Sequence, residues 1–306
     1  MVTHSLSPEK STNDRSFFDV YWRRFLDAMQ PARPAERAAL DFVTPPRTVS
    51  PPMLPAPLEG GRPLPVPAWP AHLNAWQWGD GPAILLLHGW GGDLRDLDPF
   101  VAPLATQGFR VVAADLPGHG RSAGETSHVV AFAQAARAIA AAAGTLHGVI
   151  GHSLGAAAAI VALADGLPAE RAVLLATAAD LGFYVRAAAA SHQLTAEETD
   201  EMVRHLRVLT GRPLSGLDLT CLAAQLSVPA LFVHSSDDRM APVGTMRSLA
   251  MRWKSARILV QEGLGHRRLL GSPAVIEAAV EFLLSSRAKQ PVDAPTAQPL
   301  GWARTA

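Results

Sequence analysis

From about residue 73 to residue 285 the chain repeats one local pattern: a short, almost wholly apolar run, a turn, then a longer helical segment. Apolar runs without polar alternation have no solvent face, so as strands they need cover on both sides. Intervening helices supply that cover, and the combination specifies a mostly parallel sheet. The pattern predicts strands at 75–78, 83–88, 110–115, 146–151, 171–177, 230–234 and 257–261. It predicts helices at 98–106, 128–143, 154–164, 243–253 and 273–285. An α/β fold with helices on both faces of the sheet is the expectation.

The pattern breaks once, between Ala178 and Ser227, where FYVRAAAASHQLTAEETDEMVRHLRVL is polar and helical without a strand. An excursion that leaves from the C-terminal end of a strand sits over the edge where such sheets bind ligands. Residues 178–228 therefore read as a lid of two or three helices, inserted into a core formed by 71–177 and 229–288. Residues 1–70 form an extension. Its apolar residues Phe17, Phe18, Tyr21, Trp22, Phe25, Leu26 and Met29 recur at helical spacing, with Ser16 and Asp19 as the N-cap pair. This Phe17–Met29 helix is expected to pack on the body or a second copy, with a surface contact as the other use of its stripe. Residues 31–70 carry 12 of the 25 prolines and read as an irregular, polyproline-like connector. Residues 289–306 read as a disordered tail.

Charge excludes little but points away from nucleic acid: 27 basic residues balance 27 acidic ones. The one cysteine, Cys221, cannot close an internal disulfide or form a CxxC pair, and reads as a buried or half-buried side chain. No apolar h-region opens the sequence and no stretch approaches the roughly 18–20 apolar residues of a membrane span. A cytoplasmic protein is the default expectation.

Chemistry concentrates where Gly151-His152-Ser153-Leu154-Gly155 stands between a predicted strand and a predicted helix. This is the context of a GxSxG nucleophile elbow, in which the serine adopts strained angles to project its Oγ and its flanks must be small. A serine hydroxyl needs a base, and the base an orienting acid. The strand at 230–234 runs into Ser-Ser-Asp-Asp-Arg-Met-Ala-Pro, offering Asp237 and Asp238, and the strand at 257–261 into Glu-Gly-Leu-Gly-His, offering His266. His88-Gly89-Trp90-Gly91-Gly92 ends the strand at 83–88, so the N–H groups of Trp90 and Leu154 can meet near Ser153 as an oxyanion site. His88 and His152 are expected to bond backbone, and His119 to serve its turn with Asp115 and Arg121. Phe183, Tyr184 and His205 in the lid are candidates to line an acyl pocket.

The segments LLLHGWGG at 85–92, DLPGHGRS at 115–122, GHSLGA at 151–156, HSSDDRMAP at 234–242 and GLGH at 263–266 together resemble the α/β-hydrolases, and within them the capped esterases and lipases. The resemblance spans about residues 73–285 and implies the α/β-hydrolase fold with Ser153 as nucleophile and His266 as base. In that family the acid usually stands four residues before the proline of its loop; here Pro242 selects Asp238. No metal or organic cofactor is implied. The implied activity is hydrolysis of carboxylic esters, small molecules of short to medium acyl chain, given a short lid and a bulky indole at the oxyanion turn. Thioester, amide, peptide and C–C bond hydrolysis use the same triad. A dinucleotide fold is disfavoured, since the third glycine of GxGxxG falls at Leu94. A non-catalytic binding module would be expected to have lost a triad member or an elbow glycine, and none is missing.

Overall fold

A computed structural model describes residues 33–46 and 59–285. The Phe17–Met29 helix, the contacts expected of it and the tail at 289–306 lie outside the described residues. Eight strands form one sheet: β1 (Arg62–Pro63), β2 (Ala75–Trp78), β3 (Ala83–Leu87), β4 (Arg110–Ala114), β5 (Leu146–His152), β6 (Ala169–Leu175), β7 (Ala230–Ser235) and β8 (Ala256–Gln261). Their order is β1-β2-β4-β3-β5-β6-β7-β8. β1 and β2 pair antiparallel at one edge, and the six strands from β4 to β8 in that order are parallel. The two-residue strand β1 was not foreseen, having too few residues for any periodicity.

Every residue of β3, β5 and β7 is buried, as strands covered on both faces must be. One face carries α3 (Val129–Ala143), α4 (Leu154–Ala164) and α8 (Val243–Ala250); the other carries α2 (Asp98–Thr106) and α9 (Pro273–Leu284). In α4, LGAAAAIVALA, residues 155–163 are all buried. Its alanines let α4 lie close to the sheet and to α3, which larger side chains would forbid.

Between β6 and β7 lie α5 (Leu181–Ser191), α6 (Ala196–Thr210) and the short α7 (Leu219–Ala223). Asp180 caps α5 and a Thr195/Glu198 capping box starts α6, so both helices begin where their own side chains satisfy free N–H groups. Cys221 on α7 is exposed, contrary to expectation, with Sγ 3.4 Å from Asp218 Oδ2.

The proline-dense connector departs from expectation more sharply. A ten-residue helix, α1 (Pro34–Val43), opens it. Pro34 stands at the first helical position, where its missing N–H costs nothing, and the helix stops before Pro45 and Pro46. Ala35, Ala38, Ala39 and Val43 form its buried stripe against Val185 and Ala189 of α5 and Met202 and Leu206 of α6. Residues 34–43 are thus a packed element of the helical layer.

Candidate active site

Ser153 sits at the join of β5 and α4 with φ 53° and ψ −115°. Only a backbone held on several sides keeps a non-glycine residue there. Its N–H donates to Leu175 O at 2.9 Å, and its carbonyl accepts from the N–H groups of Ala156 and Ala157, both at 3.1 Å. The flanking glycines answer to the same crowding. A Cβ on Gly155 would lie 2.3 Å from Leu87 O and 2.4 Å from His88 O, and one on Gly151 would lie 2.6 Å from Ala156 Cα. Side chains are excluded at Gly155 by the end of β3, and at Gly151 by the first turn of α4, where a Cβ would also lie 2.6 Å from Gly155 O.

The loops after β7 and β8 bring Asp238 and His266 together. Asp238 Oδ2 accepts from His266 Nδ1 at 2.8 Å, with the acid side chain fully buried. A carboxylate can only accept, so Nδ1 carries the proton and Nε2 is the free base. The other carboxylate oxygen accepts from the N–H groups of Met240 and Ala241 at 2.9 Å each. His234, buried beneath, brings Nε2 within 3.4 Å of Oδ2 while donating to Ala241 O. Burial alone would raise the Asp238 pKa, but the bonds from His234, His266 and Ala241 outweigh it and hold the carboxyl well below the usual range. Asp237 plays a different part. It accepts from Ser235 Oγ and from Gly265 N–H, fastening the turn that carries His266.

The turn after β3 faces the start of α4. Gly91 N–H donates to His119 Nε2 at 3.0 Å and Gly92 N–H to Gly89 O at 3.2 Å. The N–H groups of Trp90 and Leu154, between and opposite these, have no acceptor among the described residues; the second is the first residue of a helix, where no intrahelical partner exists. Asp96 and Arg267 join this turn to the His266 loop at 2.8 Å.

Ser153, Leu154, Trp90 and His266 line one mainly apolar cavity of about 350 Å³. Helices α5 and α6 wall it with Leu181, Val185 and Leu206, and α1 adds Phe42. Of the lid residues expected to line it, Tyr184 does so, while Phe183 and His205 do not. Phe183 is 42% exposed and meets the Tyr184 ring edge-on. Successive residues on a helix point about 100° apart, and α5 is rotated so that Leu181, Tyr184 and Val185 face the cavity while Phe183 turns to solvent. His205 faces Glu201, 3.8 Å away. Tyr184 donates to Met240 O at 3.0 Å, tying α5 to the acid loop, and burial followed by the nearby Asp238 pushes its hydroxyl up to about 12.

Sequence reasoning missed Phe42, Met240 and His128 as cavity residues. Phe42 was legible in principle, because Ala35, Ala38, Ala39 and Phe42 repeat at helical spacing behind Pro34. Met240 and His128 arrive through loops and caps, which carry no periodicity.

His88 and His152 bond backbone as expected. His88 donates through Nδ1 to Gly89 O at 2.8 Å and accepts from Leu116 N–H at 2.9 Å. His152 donates to His266 O at 3.0 Å, its ring 4.9 Å from the His266 ring. Its Nδ1 is buried without a described partner, and desolvation, then the adjacent His266, lowers its pKa to about 3.

A family model described as "Alpha/beta hydrolase family" matches residues 84–279. The pimeloyl-(acyl-carrier protein) methyl ester esterase of Xanthomonas campestris pv. campestris is 29% identical over 244 residues, covering 67% of this chain and 96% of that protein. A non-heme haloperoxidase of Rhodococcus erythropolis is 28% identical, covering 62% of this chain and 87% of that protein. Among solved structures, Est1E from Butyrivibrio proteoclasticus with bound ferulic acid superposes with a TM-score of 0.61 at 19% identity, over 74% of this chain and all of that one. The Paleococcus ferrophilus monoacylglycerol lipase gives 0.57 at 21%, over 70% and 99%. These structural likenesses bear on the fold.

Proposed function

The chain belongs to the alpha/beta hydrolase family, and from that premise we propose that it hydrolyses carboxylic esters of small to medium acyl chain through Ser153, His266 and Asp238. The observation that carries the reading is convergence. Ser153, His266, Trp90 and Leu154 line a single cavity, the amides of the last two have no acceptor among the described residues, and Asp238 lies on the far side of the imidazole.

His266 Nε2 takes the proton from Ser153 Oγ as that oxygen attacks the ester carbonyl. Asp238 holds the ring in the Nδ1–H form and stabilises the imidazolium. The N–H groups of Trp90 and Leu154 bind the tetrahedral oxyanion, a contribution of about 10²–10³ in rate per donor. Collapse expels the alcohol, which receives the proton from His266. Water activated by the same nitrogen then releases the acid from the acyl-enzyme. The cavity lies at the small end of the roughly 300–1,000 Å³ found for small-molecule pockets, and its apolar walls favour an acyl chain over a polar one. The esterase relatives support an ester substrate. In this reading α5 to α7 act as the lid, with α1 packed on them.

Turnover of p-nitrophenyl esters from acetate to palmitate, with Ser153→Ala alongside, tests the proposal. The expected result is a short- to medium-chain optimum and a loss of several orders of magnitude in the mutant. A long-chain optimum would overturn the chain-length reading. No turnover combined with no fluorophosphonate label on Ser153 would overturn the hydrolase reading and favour a binding module; a label without turnover would point to thioester or amide substrates.

A further inference from the structure

The turn bearing Trp90 is held from outside by one imidazole, and that imidazole lies on neither β3 nor α4. After β4 the chain makes the turn Asp115-Leu116-Pro117-Gly118-His119-Gly120. Gly118 and Gly120 have φ of 75° and 51°, and a Cβ on Gly120 would lie 2.3 Å from the Asp115 carboxylate. Asp115 is itself fully engaged, accepting from Leu94 N–H, Arg121 N–H and Asn74 Nδ2. This frame turns His119 inward until it is 1% exposed.

Its hydrogen bonds leave one tautomer. Pro117 O can only accept, so His119 Nδ1 donates to it at 2.9 Å, and Nε2 is the bare nitrogen that accepts from Gly91 N–H at 3.0 Å. The Trp90 indole meets the same ring edge-on, with centroids 5.2 Å apart. His119 therefore orients both the peptide that follows Trp90 and the Trp90 side chain. Phe132 and His88 pack on its remaining faces, both with centroids at 5.2 Å. The His88 ring makes the reciprocal stitch, accepting from Leu116 N–H. Burial, then His88, lowers the His119 pKa to about 4, so the bare Nε2 persists at neutral pH.

We infer that His119 is a positioning residue for the reaction, which aims the Trp90 N–H at the oxyanion by gripping Gly91 N–H. The inference rests on the ester-hydrolase reading for its kinetic consequence but not for the bond itself. His119 touches no reacting atom, so its removal acts through Trp90, and its main effect falls on the tetrahedral state that the Trp90 N–H binds.

Two variants separate this from a merely structural turn. His119→Ala removes the acceptor, whereas His119→Gln returns an acceptor oxygen near the position of Nε2. Kinetics on the best p-nitrophenyl ester are paired with amide exchange of Gly91, read by NMR on folded protein. For His119→Ala the expected kcat is about 10- to 100-fold lower, part of the full value of one oxyanion donor, with KM within about twofold. Gly91 exchange should accelerate about three- to tenfold, as loss of one hydrogen bond implies. His119→Gln should restore most of both. Unchanged Gly91 exchange in His119→Ala, an unchanged kcat, or a Gln variant as slow as the Ala variant would each overturn the assignment. If His119→Ala does not fold, His119→Asn replaces it, since its shorter side chain stops near the position of Nδ1. If the wild type neither turns over esters nor labels at Ser153, the hydrolase reading fails. Gly91 exchange then decides the His119 bond alone.

Discussion

Replacing the candidate nucleophile with glycine should make this protein more stable while abolishing its activity. Ser153 holds φ 53° and ψ −115°, a combination that an L-residue with a Cβ adopts only under strain. Such positions cost of order 1–3 kcal/mol. Ser153→Gly releases that strain, offset by about 0.5–1 kcal/mol for the greater freedom of glycine in the unfolded chain. The mid-range values leave a net gain of about 1.25 kcal/mol. At roughly 2–4 °C per kcal/mol for a domain of about 150–250 residues, Tm should rise by about 2.5–5 °C. Ser153→Ala is the control, because it removes the hydroxyl and keeps the Cβ. Both variants should lose ester turnover by several orders of magnitude, and only glycine should gain stability. Calorimetry and urea unfolding of the three proteins at pH 7.5 make the comparison. A glycine variant melting at or below the alanine variant would refute the strain argument. Equal gains in both would place the effect in the hydroxyl and not in the backbone.

Acid should unfold the protein before carboxylates titrate. His152 and His119 are buried neutral, with pKa values lowered to about 3 and about 4, so the unfolded chain binds protons first. Their stabilisation is complete above the unfolded value of about 6.5 and is lost as pH falls toward the folded values, about 2 kcal/mol each by pH 5. Urea midpoints that do not move between pH 7.5 and pH 5 would contradict this. Asp238→Asn should cost about 10⁴ in kcat by upsetting the His266 tautomer, as in other such triads, whereas Asp237→Asn should cost far less. The reverse ranking in ester assays would reassign the acid. Gly155→Ala pushes a methyl against the carbonyls of Leu87 and His88 and should destabilise by about 3 kcal/mol or prevent folding. A soluble variant melting like wild type would show that the strand end gives way.

Much of the architecture was legible because it is written locally. The helices at 98–106 and 154–164 and the strand at 75–78 appear with the predicted bounds; most other ends match or shift by one or two residues, and the helix that begins at Val243 stops three residues early, at Ala250. Gly151 and Gly155 announced a tight turn, although the clash that requires Gly155 involves β3, a partner no local pattern names. The helix at 34–43 escapes a reading by proline density for a physical reason: proline breaks a helix in its interior, and Pro34 stands at the first turn, where it breaks nothing. Phe183 and Tyr184 could not be told apart by type; the rotation of α5 against the sheet chose between them.

His119 marks the boundary most clearly. By itself the sequence determined a glycine-flanked turn after a strand, the order serine, acid, histidine along the chain, and apolar runs that must be covered on both faces. These depend on steric and solvation preferences of a few neighbouring residues. Only the tertiary structure decided that β3 lies between β4 and β5, which sets His119 against Gly91, and that α1 closes the cavity beside α5 and α6. Those pairings span tens of residues and follow from which surfaces fit when packed, a property of the whole chain.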